Sequence, residues 1–128
     1  MPDLSGVRFS QSHEWVKSEG DNATVGITEY AQSQLGDVIY LELPNVDQAL
    51  EVGGRLGVIE SVKAASDLYS PVAGQVSEVN QELKDHPEYV NQDPYGKGWI
   101  IKLRGVTENP ALLDVKAYDA FVQGQSSS

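Results

Sequence analysis

Residues 57–74 read GVIESVKAASDLYSPVAG, two strand-like runs meeting at a single lysine, Lys63. Short runs of β-branched and aromatic residues punctuated by glycine, proline and acids are the signature of antiparallel β structure. Read as a hairpin, the stretch places the chain in the mainly β class. A side chain on a tight turn stands clear of the sheet, and lysine offers a long flexible stem ending in a primary amine. The neighbours Ala64, Ala65 and Ser66 are small and leave room for a modifying enzyme or partner to close on the loop. Two readings of Lys63 stand on the residues alone. It is the root of an acyl-bearing arm, or it is a solvated surface lysine, the commoner fate of that residue type.

Working outward, the same punctuation continues. HEWVKS (13–18) and NATVGI (22–27) are separated by EGD, which supplies the glycine and acid of a hairpin turn. EYAQSQL (29–35) follows Thr28, an N-cap residue type, and precedes Gly36, which predicts a short helix. VIYLELP is a strand closed by Pro44, and residues 50–80 alternate strands and turns with Gly53, Gly54, Pro71 and Gly74 as breaks. WIIKL (99–103) is a further strand. PALLDVKAYDAF (110–121) places Leu112, Leu113, Val115 and Phe121 on an amphipathic helix, and GQSSS (124–128) reads as a frayed tail. An internal echo, VGGRL (52–56) and VAGQV (72–76), brackets the lysine. Two copies are too few for a solenoid, which leaves either two halves of a symmetric sandwich or chance similarity.

Composition bounds the function. A chain of 128 residues with 40% hydrophobic and 22% charged residues suits one globular domain. Its formal charge of −10 repels nucleic-acid phosphates and anionic lipid. With no cysteine there is no disulfide, thiolate nucleophile or zinc-thiolate cluster. No stretch approaches the ~20 apolar residues of a membrane span. His13 and His86 are too far apart in sequence to suggest a metal pair, and His13 reads as a structural or cleft-rim group. DPYGKGW (93–99) lacks the G-x-x-x-x-G-K-[ST] pattern of a phosphate cradle and reads as a turn feeding the next strand. No serine, histidine and acid arrangement suggests nucleophilic catalysis.

The motif ESVKAASDLYSPVAG (60–74) closely resembles the lipoyl-attachment hairpin of glycine cleavage system H proteins, in which the lysine of E-S-V-K-x-x-S-D carries lipoate in amide linkage. SHEWV (12–16), VGITEYAQSQLGD (25–37), LELP (41–44), VNQDPYGKGWIIK (90–102) and a C-terminal helix extend the resemblance over nearly the whole chain. Related lipoyl domains of 2-oxo acid dehydrogenases usually set the lysine in D-K-A, and biotin carriers in M-K-M. Here the neighbours are Val62 and Ala64. The resemblance implies a two-sheet antiparallel β sandwich, the lipoyl-domain-like barrel-sandwich hybrid, with short helices and a C-terminal helix. It implies a single lipoyl-carrier domain over 1–128, with a core of about 7–122 and a flexible tail at 123–128.

By the same resemblance the protein is a carrier and not itself an enzyme, with lipoate on Lys63. Its partners would be a pyridoxal-phosphate glycine decarboxylase, which hands on the aminomethyl group, and a tetrahydrofolate-dependent aminomethyltransferase, which takes it. A dihydrolipoamide dehydrogenase would reoxidise the arm, and lipoylating enzymes would attach it. Some relatives also donate lipoyl groups to other carriers. Ser12, Glu14 and Asp67 match family positions proposed to line a cleft that shelters the loaded arm. The other reading is that Ser12 starts a strand, Glu14 is a solvated strand carboxylate and Asp67 shapes the turn. A non-lipoylated docking module of the same fold is the alternative function. The resemblance fits a bacterial cytosol, or a mitochondrial matrix after loss of a presequence.

Overall fold

The computed structural model describes residues 4–107 and 109–126, with the backbone alone at 125 and 126. Among them are two antiparallel sheets. The larger has six strands in the order β1 (Val7–Phe9), β2 (Glu14–Glu19), β3 (Asn22–Ile27), β9 (Ile101–Thr107), β8 (Ala73–Val79) and β5 (Ala49–Leu50). The smaller has three, β4 (Val38–Glu42), β6 (Arg55–Ser61) and β7 (Ala65–Tyr69). The sandwich expected from the sequence is therefore present, and neither sheet closes on itself.

Alternation along the strands decides which face is buried. In β3 and β9, Ala23, Val25, Ile27, Ile101 and Leu103 turn inward, while Thr24 and Lys102 turn out. With Leu41, Leu56, Ile59 and Leu68 of the small sheet and Val76 of β8 they fill the space between the layers. At ~25 cal/mol per Å² of apolar surface removed from water, this inter-sheet core is the main stabilising element. The echoed segments lead into β6 and β8, one in each sheet. The helix α1 (Glu29–Leu35) has the predicted ends: Thr28 Oγ1 accepts the Ala31 N–H at 3.1 Å, and Gly36 takes φ +76° while its N–H closes on the Gln32 carbonyl.

Three expectations are corrected. The C-terminal helix is α4 (Val115–Ser126), not 110–121. Asp114 caps it, its Oδ1 accepting the Ala117 N–H at 2.8 Å, while Leu113 is held by paired backbone hydrogen bonds to Phe9 and so lies outside the helix. The expected tail at 123–128 is helical as far as Ser126, and 127–128 fall outside the described residues. Gly74 lies inside β8 rather than at a break. A side chain there would approach the Arg104 carbonyl to 3.1 Å, where β8 and β9 are bulged, so glycine answers a close backbone approach. Between β8 and β9 the chain forms two short helices, α2 (Glu82–Asp85) and α3 (Tyr89–Gln92).

A second core lies on the outer face of the large sheet. Val7, Phe9 and Trp15 project there and are covered by Tyr118 and Phe121 of α4. Trp15 lies over Gly26, where even a Cβ would meet the indole at 2.6 Å, and its Nε1 donates to the Pro94 carbonyl at 3.0 Å. The 93–99 segment is the expected turn into β9, closed by N–H bonds from Gly96 and Gly98 to the Asp93 carbonyl.

Candidate functional site

Lys63 sits at the tip of the β6–β7 hairpin, and it is exposed together with Val62 and Ala64. Ser61 shapes that tip. Its side chain is buried, and its Oγ accepts the N–H groups of Lys63 (3.3 Å) and Ala64 (3.1 Å), while its own N–H donates to the Ala64 carbonyl. The tip is also tied laterally, because the Val62 N–H donates to the Asp37 carbonyl at 3.0 Å. Gly36 faces the lysine stem, and a Cβ there would lie 3.6 Å from Lys63 Cε.

Asn91 of α3 secures this platform from behind. Its Nδ2 donates to the Gly36 carbonyl (2.8 Å) and to Gln32 Oε1 (3.0 Å), and its Oδ1 accepts the Val38 N–H (2.9 Å). One amide side chain thus joins the end of α1 to the start of β4. Residue-level reading assigned no role to Ser61 or Asn91. The only signal was their place inside matched motifs, ESVK and VNQDP.

Beside the hairpin opens a cleft of about 280 Å³, walled by the β1–β2 turn, α1 and β7. Ser12, Glu14 and Asp67, separated by up to 55 positions in sequence, all line it. Glu14 is not a solvated strand carboxylate: it is 3% exposed. Its Oε1 accepts hydrogen bonds from the Ser10 hydroxyl at 2.8 Å and from the Ser12 hydroxyl, and its Oε2 accepts the Tyr69 N–H at 3.2 Å. Burial pushes the carboxyl above its ordinary value, and these hydrogen bonds oppose the shift. Ser12 lies in the turn before β2 rather than in a strand. Asp67 is in β7, not the turn, and its half-exposed carboxylate pairs with Arg55 Nε at 3.1 Å.

His13 also lines the cleft, with φ +75°. Its Nδ1 is 2.7 Å from the Tyr118 hydroxyl, which lies 2.8 Å from Thr28 Oγ1, so α4 is latched both to the cleft wall and to the cap of α1. Burial raises the Tyr118 phenol to about 12, which keeps it protonated and able to donate at neutral pH. His86 pairs instead with Glu88 at the surface. Among the described residues, no three His, Cys, Asp or Glu side chains are grouped to hold a metal ion, and no helix is long and apolar enough to cross a membrane.

Residues 7–125 match the family model described as glycine cleavage H-protein. The chain is 50% identical over 123 residues to the glycine cleavage system H protein of Magnetococcus marinus, an alignment covering 93% of this chain and 86% of that one. It is 54% identical over 110 residues to that of Rubrobacter xylanophilus, covering 86% of each. The crystal structure of a glycine cleavage system H protein from Mycobacterium marinum superposes over the full length of both chains with a TM-score of 0.82 at 34% identity. The chain belongs to the glycine cleavage H-protein family.

Proposed function

We propose that this protein is the lipoylated carrier of glycine cleavage, with Lys63 as the attachment point. Family membership supports a carrier role in that system. The observation that carries the assignment to Lys63 is its placement: an exposed amine on a pinned tip, flanked by small residues, with a cleft at its foot. These surroundings fit an amide-linked arm, since nothing crowds the amine and the stem lies against a residue with no side chain. Lipoate on Lys63 would supply a disulfide able to take up the aminomethyl group of glycine. The chain itself would position and shelter that cargo.

A protonated amine brought into the cleft would meet Glu14, whose buried carboxylate gains most from a cation because little water screens it. Ser12 supplies a hydroxyl beside it, and Asp67 a second carboxylate at the mouth. Both the Glu14 network and the apolar wall of Ala31, Leu35 and Ile59 would limit water's access. The tether would raise the effective concentration of the cargo at each partner in turn. Those partners are the pyridoxal-phosphate decarboxylase that loads the arm, the folate-dependent transferase that unloads it and the dihydrolipoamide dehydrogenase that reoxidises it. A lipoylating enzyme precedes all three. Exposed Ile39, Tyr40 and Val62 beside the tip offer these enzymes an apolar footing, and the net negative charge steers them through basic surfaces. We assign the protein to the cytoplasm as a carrier without a catalytic step of its own.

Intact mass after incubation with a lipoylating enzyme and lipoate tests the reading. One lipoyl adduct is expected on the parent and none on Lys63→Arg. An unmodified parent, or an adduct that survives the substitution, would return the protein to the class of docking modules.

A further inference from the structure

The outer face of the six-stranded sheet carries an unassigned cleft of about 410 Å³ that shares no lining residue with the one beside Lys63. Strand register builds it. One row of cross-strand partners runs Val7, Lys17, Thr24, Lys102 and Glu78 across β1, β2, β3, β9 and β8. Thr24 therefore stands between two lysines on the same face, with their Cα atoms two strand spacings, about 10 Å, apart. Trp15, Tyr95 and Trp99 form the wall.

Two polar atoms of that wall are already engaged: Trp15 Nε1 donates to the Pro94 carbonyl, and the Tyr95 hydroxyl accepts the Glu29 N–H at 3.1 Å. Ring surfaces, the Thr24 hydroxyl and two ammonium groups remain to meet a ligand. Lys102 Nζ lies 5.0 Å from the Trp99 ring centre rather than on its cross-strand neighbour Glu78. Neither Lys17 nor Lys102 belongs to an ion pair among the described residues, although the chain carries an excess of acids. The carboxylates of Glu78 at the end of the row and Glu19 in the adjoining groove would repel a polyanion, so the site suits a single negative charge. A volume within the usual ~300–1,000 Å³ of small-molecule sites, with aromatic walls and few polar groups, suits a flat apolar body.

We propose that this cleft binds a small planar aromatic monoanion, its carboxylate between Lys17 and Lys102 and its ring against the Trp99 wall. Trp15 and Trp99, the two tryptophans of the chain, both line the cleft, and because Trp15 is only 2% exposed, contact quenching reports on Trp99. The probe is 4-nitrobenzoate, which quenches indole on contact, with neutral 4-nitrobenzyl alcohol as its control. Saturable quenching is expected from the anion, weakened about tenfold or more by Lys17→Gln, by Lys102→Gln and by removal of the probe's charge, and weakened by added salt. Thermal melts and lipoyl addition at Lys63 check that each variant is folded. Quenching that rises without saturating up to about 10 mM, saturation untouched by either substitution, or equal binding of the neutral analogue would each overturn the proposal.

Discussion

Replacing Tyr118 by phenylalanine removes one oxygen from the junction of α4, α1 and the cleft wall. The ring should stay in place, since it stacks on Phe9 with centroids 4.7 Å apart and planes 13° from parallel. What is lost is the link between Thr28 Oγ1 at 2.8 Å and His13 Nδ1 at 2.7 Å. Thr28 is fully buried, and its hydroxyl and that of Tyr118 are partners at 2.8 Å, either of which can donate. Left without that partner, a buried hydroxyl costs about 1–3 kcal/mol. For a domain of this size, ~2 kcal/mol corresponds to a fall in Tm of roughly 6–10 °C. Calorimetry and urea unfolding followed by circular dichroism should agree on it, with an unchanged m-value.

The pH dependence gives a second measure, of the burial of this phenol rather than of the Thr28 hydrogen bond, which acts against the shift. The phenol's pKa rises to about 12 on folding, so the protonated form is the one folding favours. Its contribution is fully present below the unfolded value of ~10 and is lost as pH climbs from there through about 12. The gap between parent and variant should therefore narrow across that interval. A loss under about 0.5 kcal/mol at neutral pH, within the range of an ordinary surface substitution, would refute the latch.

Two further outcomes follow from particular contacts. Glu14 has a raised carboxyl, so as pH rises from its ordinary 4.5 the unfolded chain gives up this proton first, and the group's contribution to stability falls until the folded pKa is passed. Glu14→Gln lacks that titration, so the stability of the parent minus that of the variant should fall with pH across the window; a rise would mean that the Ser10, Ser12 and Tyr69 bonds outweigh burial. In Gly57→Ala the new methyl would run into the Glu42 carbonyl of the neighbouring strand, forcing β4 from β6 at a cost of about 1–3 kcal/mol in urea unfolding, whereas Gly124→Ala in α4 meets nothing within 4 Å and should gain about 0.5–1 kcal/mol. Equal effects at the two glycines would show that the β4–β6 approach is not tight.

Local signals determined a good deal by themselves. Thr28 and Gly36 bound α1 because a cap and a left-handed stop act within one helical turn, and Gly20, with φ +62°, closes the β2–β3 hairpin for a similar reason. Lys63 at a tip was legible because strand alternation and small turn residues are also short-range. The resemblance located Ser12, Glu14 and Asp67, but whether they share a cleft, and whether Glu14 is buried or solvated, depends on how the β1–β2 turn packs against the second sheet. Tertiary structure alone decided that, along with the start of α4 and the position of Gly74 within a strand. The Phe9–Leu113 pairing, the Glu14–Tyr69 bond and the approach of Gly74 to Arg104 join residues far apart in sequence. Their free energy exists only once the two sheets have docked, and no window of neighbouring residues contains it.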